Sequence, residues 1–281
     1  MTAMKRIAQI AVAASLAWLA ALPAQAQVSP ELKNPRITFA YVPPENPRYL
    51  PIMERLKSRQ FLEKFSAFLS PLQLPHSFYL VTRQCGQPNA FYNPSNWRIE
   101  ICYEIVELID RIAPRAGTTN ADGFSHDEVL YGSFVGVLLH EAGHAVFDMY
   151  NVPIFGREED AADQMAAFIA LNFNKEVALT ITRGFAYLWR AFARSGDPKG
   201  WADFSDEHGT NQQRYFNTLC MGYGGNPELF KDFVDKGWLP KERAAVCAEE
   251  FQQVRLAFVK TVLPFINQAM MKKVQETDWL K

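Results

Sequence analysis

The stretch "LLHEAGHAVFD", which runs from Leu138 to Asp148, decides what this sequence can build. It places His140 and His144 four residues apart in an apolar segment, so both imidazoles point to the same side of a helix. Two neutral imidazoles one turn apart can share one Zn²⁺. Glu141 lies at the edge of that face, where it can take a proton from a water molecule. The motif alone can arise by chance, but buried ionisable groups are costly unless paired or bound to metal.

The helix that carries this motif has clear limits in the sequence. Ser125 and Glu128 are spaced as a capping box, which starts a helix. The helix is predicted to end near Tyr150, because Pro153 disfavours helical backbone in the residue before it. Acidic residues at 158–160 then mark the start of a second helix, where they complement the positive end of the helix dipole.

A catalytic zinc site normally has three protein ligands and one open position, so a third ligand is needed. The second helix offers Glu159 and Asp163, which are four residues apart and therefore on one face. Glu159 is predicted to bind the metal, and Asp163 to accept the second N–H of a ligand imidazole. Glu158 and Asp160 are predicted to face solvent. Asp148 is either a partner of a ligand or part of a solvated helix end.

Two glycines, Gly132 and Gly136, precede His140 by two turns and one turn on the same helix. Glycine allows another element to approach the backbone closely. The two glycines therefore leave room either for a substrate or another part of the protein, or for a helix packed against this one.

The first 26 residues have the pattern of a cleaved signal peptide. Lys5 and Arg6 precede an apolar run at 7–22, and "AQA" at 24–26 is a small-residue cleavage site. A membrane anchor is the alternative, but the run is short for a span of about 20 residues. Cleavage before Gln27 removes two positive charges and changes the net charge from −1 to −3. The sequence predicts a periplasmic or secreted bacterial protein without a stable membrane anchor, and the lack of basic excess argues against a nucleic-acid partner.

The four cysteines fit an oxidising compartment, in which an even number is typical of disulfides. Three pairings are conceivable, and the local one is favoured. It joins Cys85 to Cys102 across a turn-rich loop, and Cys220 to Cys247 between two helical segments. A cysteine zinc site is a weak alternative because no C-x-x-C spacing exists.

The rest of the chain, 27–281, is predicted to form one α+β domain with a small N-terminal sheet. Residues 27–118 are expected to form an α+β part, and residues 119–281 a mainly helical part that carries the zinc site. An apolar fraction of 48% supports a packed core. Strands are predicted at 37–42, 77–85 and about 97–102, and helices at about 48–69, 103–113, 126–150 and 158–172.

The two motif segments together resemble the gluzincin metallopeptidases. The H-E-x-x-H motif followed by Glu159-x-x-Ala162-Asp163 is most similar to the branch of CAAX prenyl endopeptidase-like enzymes. "PNAF" at 88–91 and "HGTNQQR" at 208–214 resemble two further segments of those enzymes, although Gly209 replaces the usual proline. Over about 37–247 the chain resembles a bacterial family of exported metallopeptidases whose role is undefined. The membrane helices of many CAAX relatives are missing, which counts against membrane substrates.

The resemblance implies a zincin-like fold and roles for several residues. Asn89 and Ala90 would pair with the backbone of an extended peptide. His208 would stand over the metal, either as a donor to the transition state or as an occluding fourth ligand; the sequence alone equally fits a polar helix cap. Arg214 is expected to pair with a carboxylate of the site. Tyr215 and Tyr223 are weaker candidates for hydrogen-bond donors, and His76 and His126 have no expected role.

These residues predict a zinc-dependent endopeptidase that uses one Zn²⁺ per chain, with Glu141 as general base and peptides or proteins as substrates. A ligand set of two histidines and one glutamate favours zinc over other divalent metals. The alternative is a zinc-stabilised binding or chaperone module that does not cleave. A further alternative is a self-inhibited peptidase that opens when the His208 segment moves.

Overall fold

The computed structural model describes residues 31–196 and 200–279. The predicted signal peptide, 1–26, lies outside these residues. The two predicted disulfides are present, Cys85 with Cys102 and Cys220 with Cys247. Within the described part of the chain, no helix is long and apolar enough to cross a membrane.

A four-stranded mixed sheet forms the N-terminal part of the fold. Its strands run in the order β1-β2-β4-β3, so β3 lies at one edge. The first two pairings are parallel, and β3 pairs with β4 in the antiparallel direction. The strands are β1 (Ile37–Tyr41), β2 (Phe78–Arg83), β3 (Ala90–Asn93) and β4 (Arg98–Cys102).

Three helices accompany the sheet: α1 (Leu50–Ser58), α2 (Phe61–Phe68) and α3 (Tyr103–Ile112). The single helix predicted at 48–69 is wrong, because the chain breaks between α1 and α2. Gln60 adopts a left-handed backbone with a φ of 52°, which cannot continue a right-handed helix. The break turns α2 away from α1 while both helices keep apolar faces toward the core.

The remainder of the described chain is mainly helical. Short 3₁₀ turns lie at Pro47–Tyr49, Trp201–Ser205 and Leu263–Phe265. The helices are α4 (His126–Tyr150), α5 (Glu158–Ala170), α6 (Lys175–Ser195), α7 (Asn211–Gly225), α8 (Asp232–Asp235), α9 (Lys241–Thr261) and α10 (Gln268–Glu276). The predicted α+β class, with a small sheet and a helical part, is confirmed.

The long helix α4 lies between the sheet and α6. Ser125 and Glu128 form the predicted capping box at its start. Gly132 and Gly136 pack against α6, where an added Cβ would overlap the backbone of Thr180 or the ring of Phe185. The glycines therefore serve close helix packing and not a substrate. One core cluster continues from the sheet through α4 into α6, which fixes the motif helix against both parts of the fold.

The end of the described chain returns to the sheet side. Leu72 forms an isolated bridge with Ile266, and the Val274 side chain packs with Leu32 and Ala67. Residues of both predicted parts therefore share packing contacts on this side of the molecule.

Candidate metal and catalytic site

Three histidines, two from one helix and one from a loop, converge on one glutamate. His140 and His144 lie on α4, Glu159 lies in the first turn of α5, and His208 precedes α7. The Nε2 atoms of the three histidines lie 3.0, 3.4 and 2.9 Å, respectively, from Oε2 of Glu159. His140, Glu159 and His208 also form a group whose ligand atoms lie within 4.8 Å of one another. The fold thus brings the predicted ligands and His208 to one point.

Each imidazole also has a carboxylate at its Nδ1 atom. The pairs are His140 with Asp163 at 2.8 Å, His144 with Glu158 at 2.7 Å and His208 with Asp206 at 3.0 Å. When Nδ1–H donates to the carboxylate, the lone pair is on Nε2, which is the atom directed at Glu159. Metal-binding histidines are typically oriented by such carboxylates.

The donor atoms fit a metal ion. Oε2 of Glu159 is buried and has no partner of hydrogen-bond geometry among the described residues. Nε2 of His140 and Nε2 of His144 lie 3.1 Å apart, close enough for the two atoms to share one cation. Donor atoms of a tetrahedral zinc site with bonds of about 2.0–2.1 Å are separated by about 3.3 Å, which agrees with these distances.

The charges of the cluster depend on one another. Burial would raise the pKa of the Glu159 carboxyl, but the three imidazoles hold it well below its usual range. Burial would lower the pKa of His140, but the carboxylates of Asp163 and Glu159 outweigh burial and raise this pKa to about 9. Contact with Glu159 raises the pKa of His208 as well. A metal ion that binds here must displace protons, so acid weakens its binding.

Asp163 connects the cluster to a buried arginine. The Arg214 guanidinium donates to both oxygens of the Asp163 carboxylate, at 2.6 and 2.8 Å, and lies 3.5 Å from the ring centroid of Trp189. Both charged side chains are buried. Burial would raise the pKa of the Asp163 carboxyl, but Arg214 and His140 keep it low. Asp163 therefore stays ionised beside His140, and Arg214 occupies the place predicted for it.

Glu141 faces a cleft next to the cluster. Its side chain is buried, and burial raises the pKa of its carboxyl while the charges of His140 and His144 oppose the increase. The backbone N–H of Tyr92 donates to the carboxylate. The cleft has a volume of about 190 Å³ and is lined by Pro88–Ala90, by Glu141 and by His208. Its other walls are largely apolar and include Ile105, Val137, Leu188, Trp189 and Phe192.

The edge strand β3 borders this cleft. The Cys102 N–H donates to the Asn89 carbonyl at 3.1 Å, so residue 89 faces β4. By the alternation of an antiparallel ladder, the backbone groups of Ala90 and Tyr92 then point to the free side. The Ala90 N–H donates to the Oδ1 atom of Asn89 at 3.0 Å. The Ala90 carbonyl is thus an outward-facing acceptor next to the cleft.

A protein family described as "Putative metallopeptidase" matches residues 41–261, which is most of the chain. The chain belongs to this family. Membership indicates a metal-dependent peptide hydrolase with a peptide or protein substrate. Neither a curated protein nor a solved structure matches the chain significantly.

Three residues of this candidate site were missed or misplaced by sequence reasoning. Glu158, predicted to face solvent, is half exposed but contacts His144. Asp206 accepts from the backbone N–H of His208 at 2.8 Å and also holds its ring. Such a contact between an aspartate and the residue two positions on is a common local turn, so "DEH" carried a usable signal. The sequence around Tyr92 did not indicate a role in the site, because the residues that Tyr92 contacts lie far along the chain.

Asp148 and the remaining candidates can also be placed. The Tyr92 hydroxyl donates to Asp148 at 2.7 Å, so this exposed carboxylate ties the end of α4 to β3. His208 is not a helix cap, because Thr210 caps α7 with its own side chain. His76 stacks on Trp97, and His126 contacts Asp110 and Asp127, both away from the cluster. The residues that line the cleft do not include Tyr215 or Tyr223.

Proposed function

We propose that this protein is a zinc-dependent endopeptidase of the gluzincin type. The observation that carries the proposal is the convergence of three carboxylate-held imidazoles on the buried, unbonded Oε2 atom of Glu159. Glu141 lies beside this point, in a cleft bordered by an open strand edge. A ligand cluster, a buried carboxylate and a strand edge in one cleft are the components that metal-assisted peptide hydrolysis requires.

His140, His144 and Glu159 would hold the metal, with Asp163 and Glu158 orienting the two imidazoles. Zinc bound there would polarise the scissile carbonyl and make a water molecule acidic enough to attack near neutral pH. The donor set of two imidazoles and one carboxylate is that of catalytic zinc sites with an open position.

Glu141 acts as the general base in this proposal. Its carboxylate takes the proton of the attacking water and passes it to the nitrogen of the leaving amine. Burial raises the pKa of the Glu141 carboxyl, which makes it a stronger base than an exposed glutamate. The backbone N–H of Tyr92 acts on this carboxylate from β3 and favours its ionised form, which is the form that a general base needs.

The substrate would bind as an extended strand along β3. The Ala90 carbonyl accepts a backbone N–H of the peptide, and Asn89 lies where the peptide enters. The apolar walls of the cleft favour an apolar side chain next to the scissile bond, because the positive charge of Arg214 is paired with Asp163 and Glu141 is assigned to the attacking water. A peptide library should therefore show enrichment of leucine, isoleucine or phenylalanine at one position.

Metal content tests the ligand set. Purified wild type is expected to hold about one zinc per chain, and Glu159→Ala to hold far less, by mass spectrometry of the metal. Glu176→Ala is the matched control, because Glu176 is also the second residue of a helix, α6, but is exposed. Zinc retained in Glu159→Ala would show that the third ligand is wrong.

Glu141→Gln tests the chemistry separately from the metal. The amide keeps the size of the side chain but cannot accept the proton, so cleavage of fluorescent casein should fall by about 10²–10⁴-fold. Zinc content should be unchanged. Cleavage at the wild-type rate would exclude Glu141 as the base.

A second candidate function is a non-catalytic zinc-stabilised module, and the position of His208 favours it. Its Nε2 atom lies as close to Glu159 as those of the two motif histidines, and structural zinc sites normally have four ligands. His208→Ala separates the two functions. A peptidase keeps its zinc and changes its cleavage rate, whereas a four-ligand structural site loses metal affinity and thermal stability together.

We also propose export by a cleaved signal peptide at 1–26, into the periplasm or beyond. The two disulfides support an oxidising compartment. Intact mass measurement of protein from the periplasmic fraction should give a chain that begins at Gln27. An uncleaved chain in the membrane fraction would support an anchor instead.

A further inference from the structure

A second cavity lies on the face of α4 opposite the cleft. Its volume is about 330 Å³, against about 190 Å³ for the cleft. Tyr131, Val135 and Leu139 line it at intervals of four residues, so they share one face of α4. Val137 and Glu141, which line the cleft, each lie about 160° from Leu139 around the same helix. The two spaces are therefore separate.

The walls of this cavity are apolar and aromatic. Cavities of roughly 300–1,000 Å³ with apolar walls are typical of small-molecule sites. The main wall residues come from α2, α4, the turn between α5 and α6, α6 itself and the end of the described chain: Phe65, Phe68, Leu139, Phe173, Ile181 and Trp279.

The charges that line the cavity are of one sign. Arg59 and Lys64 are the charged residues among its described lining, which contains no acidic side chain. Arg59 is exposed and Lys64 is partly buried, so the positive charge is at the solvent-facing end. The negative charge of Asp278 acts on Lys64. Arg59 should therefore attract an anion more strongly than Lys64 does. Gln60, with its left-handed backbone, makes the turn between α1 and α2. Arg59 lies in this turn, at the solvent-facing end of the cavity.

We propose that this cavity binds a single-chain amphiphile with an anionic head, of the class of medium-chain carboxylates. The alkyl chain of this ligand would fill the space between the aromatic walls, and its anionic head would bind the guanidinium of Arg59. Carboxylates and guanidinium groups form paired, charge-assisted hydrogen bonds. The exposed guanidinium of Arg59 at this opening favours an anionic head over a neutral one.

Quenching of tryptophan fluorescence by 11-bromoundecanoate tests the proposal on the full-length mature chain. The bromine quenches a tryptophan that it contacts, so wild type should lose fluorescence and Trp279→Phe should lose much less. Without the bromine, affinity for unbranched carboxylates should rise about fourfold for each added methylene and then level off when the cavity is full. Zinc need not be bound, so failure of the peptidase proposal does not affect the result.

Charge is tested by Arg59→Ala, with Arg55→Ala as the matched control. Arg55 lies one turn earlier on α1, pairs with Asp110 and does not line the cavity. Arg59→Ala should weaken binding of 11-bromoundecanoate about tenfold, and Arg55→Ala should not. Equal quenching by 11-bromoundecanol, or equal binding by both variants, would mean a non-specific apolar surface and overturn the proposal. Absence of quenching in wild type would overturn it too, and would mean that the chain itself fills the space.

Discussion

The two halves of α4 are held in place by different kinds of contact. The N-terminal half packs on α6 through Gly132 and Gly136, with backbones close together. The C-terminal half carries His140 and His144, and carboxylates from α5 hold both rings. Close packing gives a rigid helix, and the carboxylate contacts then orient side chains that apolar packing alone could not fix.

This division explains how an ionisable cluster can exist inside an apolar helix. The first half of α4 supplies apolar burial, so the second half can hold buried polar groups that each need a partner. Changes in the first half should therefore alter stability, and changes in the second half should alter the site as well.

Removal of the Asp163 carboxylate should have the largest effect. Asp163→Ala leaves the guanidinium of Arg214 buried without its partner, and loss of one member of a buried pair costs about 3–5 kcal/mol. Urea unfolding should show this loss, and zinc affinity should fall by about 10–100-fold, because His140 loses its orienting carboxylate.

The control for this variant is Asp160→Ala on the same helix. Asp160 pairs with Arg157, and both side chains are partly exposed, so its loss should change the unfolding free energy by about 1 kcal/mol or less. Equal effects of the two variants would show that burial of the carboxylate does not decide how much its ion pair stabilises the fold.

Gly132→Ala should have the next largest effect, and on stability alone. The added methyl group would overlap the Thr180 backbone oxygen, and overpacking typically costs about 1–3 kcal/mol or more. Zinc content per folded chain should stay the same. Gly143→Ala is the comparison in the second half, because its Cβ would lie 3.3 Å from the Ala162 Cα, and its change should be within about 1 kcal/mol. A larger loss of unfolding free energy in Gly143→Ala than in Gly132→Ala would contradict the proposed difference between the two halves of α4.

Local features of the sequence predicted the frame of the site. The Ser125 cap and Pro153 gave the limits of α4, and the helical spacing placed Glu159 and Asp163 on one face of α5. These features depend on residues within one or two turns. The sequence therefore predicted which residues of α4 and α5 belong to the cluster, and the structure added the distances between them.

Other features depend on contacts between distant residues, and the sequence did not predict them. Apolar spacing continues through Gln60, so it predicted one helix where a single left-handed residue makes two. From its residues alone, β3 was part of a turn-rich loop, and only the family resemblance marked "PNAF" as an edge. Tyr92 and Asp148 are 56 residues apart, and nothing local to either residue indicates the other.

Loss of the Tyr92 hydroxyl should have the smallest effect, and it tests the contact between β3 and the end of α4. Tyr92 contacts α4 twice, through its N–H at Glu141 and its hydroxyl at Asp148. Tyr92→Phe keeps the backbone contact and removes the second, which should cost about 0.5–1.5 kcal/mol. Cleavage of casein should slow by about two- to tenfold through kcat, with zinc content unchanged.

Hydrogen exchange of the β3 amides supplies a readout that does not depend on activity. If the Asp148 contact fixes the edge strand against α4, the amides of 90–93 should exchange faster in Tyr92→Phe than in wild type. Tyr79→Phe is the control, since Tyr79 lies on β2 of the same sheet and is exposed. Unchanged exchange with slower cleavage would mean that the hydroxyl acts on the substrate directly. Unchanged exchange and cleavage would mean that packing of β3 on α4 alone positions Glu141.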